Sequence, residues 1–277
     1  MELAEAVFGL SFRSWYENGF WTDRYIPYCL ADGSRIVANA SANVIDTLWQ
    51  GERKRYIQIG TVMTHPAYRK RGLMKKIMER LLADWKGRCD GIYLYANDSV
   101  RDFYPKFGFE TAQEYGHRID LLDGGQEKKG QEGMWRKLDM AAPKDRELLR
   151  SCYGRSNPYS ALPMLDNEGL LMFYCADFMK ECVYYSRRWD AVCVASGEGE
   201  AVYLSDVFGN PACSLYELAA GLPFENYASV VLGFTPKDDS HCICERLVEE
   251  DTTLFVFSSG ENVFREGRLR MPELSRA

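Results

Sequence analysis

The sequence predicts an α+β protein of two domains, the first with an α/β/α layered core. Its length of 277 residues is that of roughly two domains. A strand, a glycine-containing turn, a helix and another strand follow one another within residues 1–122. A polar, glycine-rich run over 123–133 then predicts a linker, and residues 134–277 repeat the order of elements that precedes it.

The elements of the first domain are predicted from hydrophobic periodicity. Leu73, Ile77, Leu81 and Trp85 recur at every fourth position, which is typical of an amphipathic helix over 73–85. Around this helix we expect an N-terminal apolar helix, strands over 35–49, 54–64, 91–96 and 109–119, and a short helix over 98–106.

The second domain is predicted from the same signals. Its expected helices lie over 145–153, 167–181 and 214–220, the last with Ser214 as its N-cap. Its expected strands lie over 182–185, 191–195, 201–207, 229–234 and 252–258.

Composition excludes several classes of protein. With 46% hydrophobic and 27% charged residues, the chain is neither disordered, collagen-like nor a coiled coil. Its longest apolar stretch, 170–179, is interrupted by Asp177 and is too short to cross a bilayer. The N-terminus carries Glu2 and Glu5 instead of the basic start of a leader peptide. We therefore expect a soluble, cytoplasmic protein with no membrane partner.

The charge is unevenly divided between the two halves. Residues 1–122 hold 17 Lys and Arg against 15 Asp and Glu, and residues 123–277 hold 17 against 25. A net charge of −6 disfavours general nucleic-acid binding, and the acidic second half favours a cationic small molecule. The nine cysteines include no C-x-x-C pair, so we expect reduced thiols and no metal site.

A basic loop joins the strand ending at Thr64 to the helix starting at Leu73. The first amides of a helix lack internal partners and lie at the positive end of its macrodipole, so they can bind a phosphate. Gly72 allows close approach of the backbone, and the run 69–71 surrounds it with positive charge. A basic, solvated first turn without a ligand is the alternative interpretation.

A second motif, Tyr104-Pro105-Lys106-Phe107-Gly108-Phe109, follows the next strand. Together with Arg69-Lys70-Arg71-Gly72-Leu73-Met74, it resembles the signature of the GNAT superfamily of acyl-coenzyme A N-acyltransferases over about residues 8–122. Met74 stands where that signature usually has Gly or Ala. The resemblance implies a mixed, mostly antiparallel central sheet, followed by a second, degenerate GNAT-like domain.

The resemblance also implies a reaction and its site residues. A primary amine would attack the thioester of acetyl-coenzyme A, the cosubstrate, directly, without a metal or a covalent enzyme intermediate. Tyr104 would be the general acid that protonates the departing thiolate. The implied coenzyme-binding residues are Val62, Met63, Thr64, Arg69, Lys70, Arg71, Gly72, Leu73, Met74 and Asn97.

The general base departs from the family pattern. Family members often have a carboxylate on the strand before the loop, but this strand has Gln58 at its centre and no acid. Asp46 and Glu17 are the substitutes that the sequence offers. A water chain, or an amine that is already neutral, are the alternatives. The chain also opens without the family's first strand, which we expect to be absent or supplied from elsewhere.

Aromatic residues crowd the segment that flanks the acceptor cleft in the family. They are either core residues or the lining of a site for an apolar or cationic acceptor. These residues are Trp15, Tyr16, Phe20, Trp21, Tyr25 and Tyr28.

The second half lacks the coenzyme signature at the corresponding turn. Residues 207–214 contain no Arg-x-x-Gly and no basic cluster, and Asp206 and Glu217 lie nearby. We expect this half to bind no coenzyme and to shape the acceptor cleft or an interface. An independent α+β domain is the alternative.

The function predicted from these observations is that of an acyltransferase, an N-acetyltransferase acting on a small-molecule amine in preference to a protein. The alternative is a non-catalytic acyl-coenzyme A sensor or an interaction module. A homo-oligomer is compatible with either function.

Overall fold

The computed structural model describes residues 1–121, 134–258, 260, 262–265 and 267–276. The predicted linker over 123–133 lies outside the described residues. The described part of the chain contains no helix that is both long and apolar enough to span a bilayer.

Helices and strands alternate along the described chain. The α-helices are α1 (Glu2–Phe8), α2 (Arg13–Glu17), α3 (Leu73–Trp85), α4 (Pro143–Arg155), α5 (Glu168–Phe173) and α6 (Leu215–Ala220). The strands are β1 (Tyr25–Asp32), β2 (Arg35–Trp49), β3 (Glu52–Thr64), β4 (Gly91–Ala96), β5 (Glu110–Thr111), β6 (Tyr115–Asp120), β7 (Trp135–Lys137), β8 (Val183–Ser186), β9 (Ala191–Glu198), β10 (Ala201–Gly209), β11 (Ser229–Leu232), β12 (Ile243–Arg246) and β13 (Thr253–Phe257).

The first sheet has the strand order β1-β2-β3-β4-β13-β5. Its strands pair antiparallel except β3 and β4, which are parallel because α3 carries the chain across one face between them. Ala38, Ala40 and Ala42 of β2 face this helix, where they pack with Ile77 and Leu81.

The second sheet has the order β12-β6-β11-β10-β9-β8-β7. It repeats the same unit, since β10 and β11 are parallel and α6 lies between them in sequence. The predicted α+β class with mixed, mostly antiparallel sheets is confirmed.

The two sheets exchange strands across the predicted boundary. The predicted strand over 109–119 is two strands, of which β5 joins the first sheet and β6 the second. In return, β13 inserts into the first sheet between β4 and β5. Leu254 and Val256 of β13 are buried in a core cluster that contains residues of both sheets. The division into two domains at 123–133 stays a prediction.

Several elements differ from those that the sequence predicts. Strand β1 is present within the aromatic segment, where the sequence predicts none. The predicted helix over 98–106 is two 3-10 turns, Asp98–Val100 and Tyr104–Phe107. The predicted helix over 167–181 is α5 followed by a π-helical turn, Tyr174–Phe178.

The second face of the first sheet is covered by other parts of the chain. The N-terminal helices place Trp15 beside Tyr25 of β1 in a cluster separate from that of α3. The side-chain amide of Asn167, before α5, donates to Oδ1 of Asn43 on β2 at 3.2 Å. The first sheet is therefore the middle layer between α3 and the second half of the chain.

Candidate active site

An opening between β3 and β4 defines the candidate site. The two strands pair only from Tyr56 opposite Gly91 to Ile59 opposite Leu94. Strand β3 continues to Thr64, so the edge of residues 60–64 that faces β4 has no strand partner among the described residues. The Thr64 carbonyl accepts a hydrogen bond from Nε of Arg69 at 3.3 Å, and the backbone groups of this edge that no described bond engages are available to pair with a ligand between the strands.

A β-bulge lies at the opening. The pairing of β2 with β3 shifts between Ser41 opposite Gly60 and Asn39 opposite Met63. Thr61, in the extra stretch, has a φ of 48°, and its carbonyl accepts a hydrogen bond from the Asn39 side chain at 3.0 Å. A bulge redirects the local backbone, and bulges are common beside active sites.

A cavity of about 800 Å³ extends through this opening. It brings together seven of the predicted site residues, namely Val62, Met63, Thr64, Arg69, Met74, Asn97 and Tyr104. Lys70, Arg71, Gly72 and Leu73 belong to the adjoining loop and helix start but do not line the cavity.

The cavity connects the two faces of the sheet. On one side, Val62 and Tyr104 pack with the cluster of α3. On the other, Met63 packs with the N-terminal helices, and Tyr174 and Arg276 complete the lining. A ligand bound at the start of α3 therefore enters from one face, and a second ligand can reach it from the other.

The start of α3 has the features of an anion site. Gly72 is the N-cap residue with a φ of 73°, and no side chain caps the helix. Lys70, two residues earlier, also has a positive φ of 61°. The first amides of α3 thus lack partners within the helix, while Arg69 and Arg71 lie in the preceding loop.

The side chain of Tyr104 is suited to donating a proton. Its ring is 4% exposed and packs on Phe109 and Phe255. Its hydroxyl has no hydrogen-bond partner among the described residues, although it lines the cavity. Burial raises the pKa of Tyr104 to about 12, so the phenol stays protonated at neutral pH.

Asn97 is held from the far end of the chain. Its side-chain amide donates to Oδ2 of Asp251 at 2.8 Å, and the backbone amide of Asp98 donates to Oδ1 of Asp251 at 2.6 Å. These bonds fix the end of β4 at the cavity. The carbonyl oxygen of the Asn97 side chain accepts none of the described hydrogen bonds, so it is available to a ligand.

The structure does not bring Asp46 to the cavity. Its carboxylate is 1% exposed and accepts hydrogen bonds from Arg24, Arg53 and Arg55 at 2.7–2.9 Å. Burial alone would raise the pKa of Asp46, but the hydrogen bonds from the three guanidinium groups hold it well below its usual range. A carboxylate that is buried, paired with three guanidinium groups and outside the cavity cannot take a proton from a ligand there, and its position suits a structural role.

Glu17 also lies away from the cavity. Its side chain is 62% exposed on α2, where its nearest cationic group is Arg13 at 3.7 Å. Neither predicted substitute for the missing base therefore meets the predicted coenzyme-binding residues.

A carboxylate that the sequence did not predict lines the cavity instead. Glu249 accepts a hydrogen bond from Arg276 at 2.8 Å, and its side chain is 31% exposed. It is the one carboxylate lining the cavity in the part of the chain that the structure describes. Arg276 also donates to the buried Glu114 at 3.1 Å and lies 4.2 Å over the ring of Tyr95.

No sequence motif predicts Glu249 at the site. It precedes β13, and β13 comes close to the site only because it inserts into the first sheet beside β4. The acidic run Glu249-Glu250-Asp251 before a predicted strand is the only local signal.

The predicted aromatic residues divide between two places. Trp15 and Tyr25 are buried and line a smaller apolar cavity that shares Thr61 with the main one. Tyr28 lies on the other face of the sheet, where its hydroxyl donates to Asp84 of α3 at 3.2 Å. Tyr16 is 61% exposed. Only part of the predicted cluster therefore adjoins the site.

The corresponding turn of the second half is closed to an anion. Ser214 caps α6 through its hydroxyl, and the Glu217 carboxylate accepts from the Ser214 backbone amide at 2.8 Å. The backbone amide of Gly209 donates to Ser156 at 2.9 Å. A negative charge and internal hydrogen bonds thus lie where α3 presents unpartnered amides and cations.

Comparison with known proteins finds a domain family for the first part of the chain. Residues 2–112 match the model of the acetyltransferase (GNAT) domain. The match covers the first part of the chain and supports acyl transfer as the class of reaction for that domain. No curated protein sequence matches the chain.

Solved structures share the fold over nearly the whole chain. A conserved protein of unknown function from Enterococcus faecalis V583, described as a probable N-acyltransferase, is 17% identical, with 93% of this chain and 68% of that chain covered and a TM-score of 0.60. A GCN5-related N-acetyltransferase from Kribbella flavida is 17% identical, with 92% and 66% covered and a TM-score of 0.56. Eis1 from Mycobacterium abscessus is 18% identical, with 91% and 68% covered and a TM-score of 0.54. At these identities the likeness establishes the fold alone.

Proposed function

We propose that the protein transfers an acetyl group from acetyl-coenzyme A to the primary amine of a small molecule. One observation carries the proposal. A single opening in the first sheet joins an uncapped helix start, an unpaired strand edge and a protonated, unpartnered phenol. This combination suits a pyrophosphate, an extended amide-bearing arm and a thiolate leaving group in that order.

The roles of the residues follow from their positions. The amides at the start of α3 and the cations of 69–71 would hold the pyrophosphate, and the edge of 62–64 would pair with the pantetheine arm. A backbone amide at the bulge would polarise the thioester carbonyl. Asn97 would contact the arm through its side-chain carbonyl.

The proton transfers need one donor and one acceptor. The amine nitrogen bonds to the carbonyl carbon as the carbon–sulfur bond breaks, and Tyr104 would give its proton to the departing thiolate. We assign Glu249, in place of Asp46 and Glu17, to take the proton from the amine, directly or through a water molecule. Its position on the face opposite α3 supports this assignment.

The second half would serve the acceptor side and bind no coenzyme. Tyr174, Glu249 and Arg276 contribute to the cavity, whereas the 207–214 turn is closed by its own hydrogen bonds. A non-catalytic sensor would need the coenzyme site alone, so the acceptor-side lining favours an enzyme.

The first test is the thermal midpoint of the protein across a titration with acetyl-coenzyme A. A ligand at 100 times its Kd stabilises by about 2.7 kcal/mol, which amounts to a few degrees for domains of this size. Gly72→Glu should abolish the shift, because it places a negative charge at the start of α3.

Gly87→Glu is the matched control. Gly87 also has a positive φ, of 80°, and open space around its Cα, but it follows the other end of α3. This variant should keep the shift. Equal shifts in both variants, or none in the wild type at millimolar coenzyme, would contradict the proposed coenzyme site. Turnover of an amine panel then tests transfer itself.

A further inference from the structure

The apolar cavity beside the bulge is a separate feature of the acceptor face. It has a volume of about 280 Å³ and shares Thr61 and Tyr174 with the main cavity. The remaining lining residues are Leu10, Phe12, Trp15, Tyr25, Leu170, Phe173 and Phe178. None of these described residues carries a charge.

The polar side-chain atoms of the lining residues are already hydrogen-bonded within the protein. The indole nitrogen of Trp15 donates to the carbonyl of Gly169 at 2.7 Å. The hydroxyls of Tyr25 and Thr61 bond to each other at 2.5 Å, and the Tyr174 hydroxyl donates to the carbonyl of Arg276. The surface left to a ligand is therefore hydrocarbon and ring faces, which favour an uncharged apolar group.

The wall nearest the solvent is irregular and partly exposed. Tyr174 and Phe178 bound the π-helical turn that follows α5, a type of distortion that often occurs at functional sites. The Phe178 side chain is 55% exposed although it lines the cavity. An exposed aromatic ring at the edge of an apolar cavity is available to close over a ligand.

The cavity lies on the face from which the acceptor would arrive. Its aromatic walls belong to the cluster of the N-terminal helices and α5, opposite the cluster that contains α3 and Tyr104. The coenzyme would enter from the α3 side, so the group that extends beyond Thr61 on the far side belongs to the acceptor. Glu249, which faces the main cavity, would meet the amine itself.

We infer that this cavity binds the hydrocarbon part of the acceptor, and that the substrate is a primary monoamine carrying an alkyl or aryl group. The inference rests on the proposed function and narrows its substrate class. A polyamine fits poorly, because a second ammonium in the cavity would lose its hydration without meeting a carboxylate. Contact of that ammonium with the ring faces would offset only part of this loss.

The experiment compares amines that differ in one feature. With acetyl-coenzyme A as donor, kcat/KM should rise about fourfold per methylene from propylamine to hexylamine, since each buried methylene adds a constant increment. Phenethylamine should be a substrate, and 1,6-diaminohexane should have a kcat/KM at least tenfold below that of hexylamine.

Two variants place the effect in this cavity. Leu10→Trp puts an indole into the cavity and should remove most of the increase in kcat/KM with alkyl chain length. Phe178→Ala should make that increase smaller. Tyr203→Ala is the control, because Tyr203 is an exposed aromatic residue on β10, outside both cavities. This variant should keep the wild-type profile.

Four results would overturn the inference. The inference is wrong if kcat/KM does not change from propylamine to hexylamine, or if 1,6-diaminohexane has the same kcat/KM as hexylamine. Both results would leave amine acetylation itself intact. Loss of activity in Leu10→Trp with octanoyl-coenzyme A, but not with acetyl-coenzyme A, would assign the cavity to the acyl chain. No turnover of any amine, with the coenzyme-dependent thermal shift retained, would reject the substrate class and transfer together while leaving the coenzyme site in place.

Discussion

Removing one oxygen atom from Tyr104 tests the proposed chemistry. Tyr104→Phe keeps the ring contacts with Phe109 and Phe255 and removes a hydroxyl without a described hydrogen-bond partner. We expect the free energy of unfolding to change by less than about 0.5 kcal/mol. Loss of general-acid catalysis should lower kcat by at least about a hundredfold, which is about 2.7 kcal/mol of the barrier.

The assay separates chemistry from binding and folding. Steady-state kinetics give kcat, the acetyl-coenzyme A thermal titration gives binding, and urea unfolding gives stability. Tyr153→Phe is the matched control, since the hydroxyl of the half-buried Tyr153 accepts from the Asn167 backbone amide at 2.9 Å. It should lose about 1–3 kcal/mol of stability through the unpaired amide while keeping kcat.

The pH dependence of the rate is a second test of the role of Tyr104. With the pKa of Tyr104 raised to about 12 by burial, the phenol remains protonated to pH 10. The rate should therefore rise as the acceptor amine loses its proton and then level off. A kcat for Tyr104→Phe within threefold of the wild type would refute the assignment. A fall in rate above pH 9 that disappears in the variant would refute the raised pKa.

Two buried carboxylates give stability predictions of opposite sign. Hydrogen bonds from three arginines lower the pKa of Asp46 despite its burial, so its contribution is present above pH 4 and lost as the pH falls. Asp46→Asn should therefore cost about 2–3 kcal/mol at pH 7 in urea unfolding, with the difference shrinking below pH 4; a constant difference would contradict this. Burial raises the pKa of Asp206 to about 7, so its effect disfavours folding as the pH rises from about 4 to 7. Relative to the wild type, the free energy of unfolding of Asp206→Asn should increase by up to about 4 kcal/mol across that pH range. If the stability of the two proteins changes in parallel with pH, the raised pKa is excluded.

The local elements of the site could be predicted because their signals are local. The four-residue repeat of Leu73 to Trp85 and the glycine at 72 specify a helix and its start without reference to the rest of the chain. The same is true of Ser214, whose predicted role as the N-cap of α6 is confirmed. The long strands β2 and β3 also follow from their composition and the turn at Gly51.

The composition of the two sheets could not be predicted, because it depends on contacts between distant residues. β13 pairs with β4 across more than half of the chain, from Thr253 opposite Ala96 to Phe257 opposite Ile92. A period-two pattern specifies a strand but not its neighbour. Glu249 lines the cavity and Asp251 holds Asn97 because of that pairing, so no local sequence signal could place either residue there.

Both halves contain the same strand–helix–strand unit, but it is open to a ligand in the first half and closed in the second. The C-terminal segment 270–276 contacts both units. In the second sheet, the backbone amide of Glu273 donates to Gly233 at 2.8 Å, and Arg270 donates to the carbonyl of Leu232 at 2.9 Å. The backbone just beyond the parallel pair is thus already partnered there. Arg276 lies three residues after Glu273. In the first sheet, it lines the open cavity. One segment therefore occupies the position beside β11 that a ligand would need in the second half, while it lines the open cavity of the first.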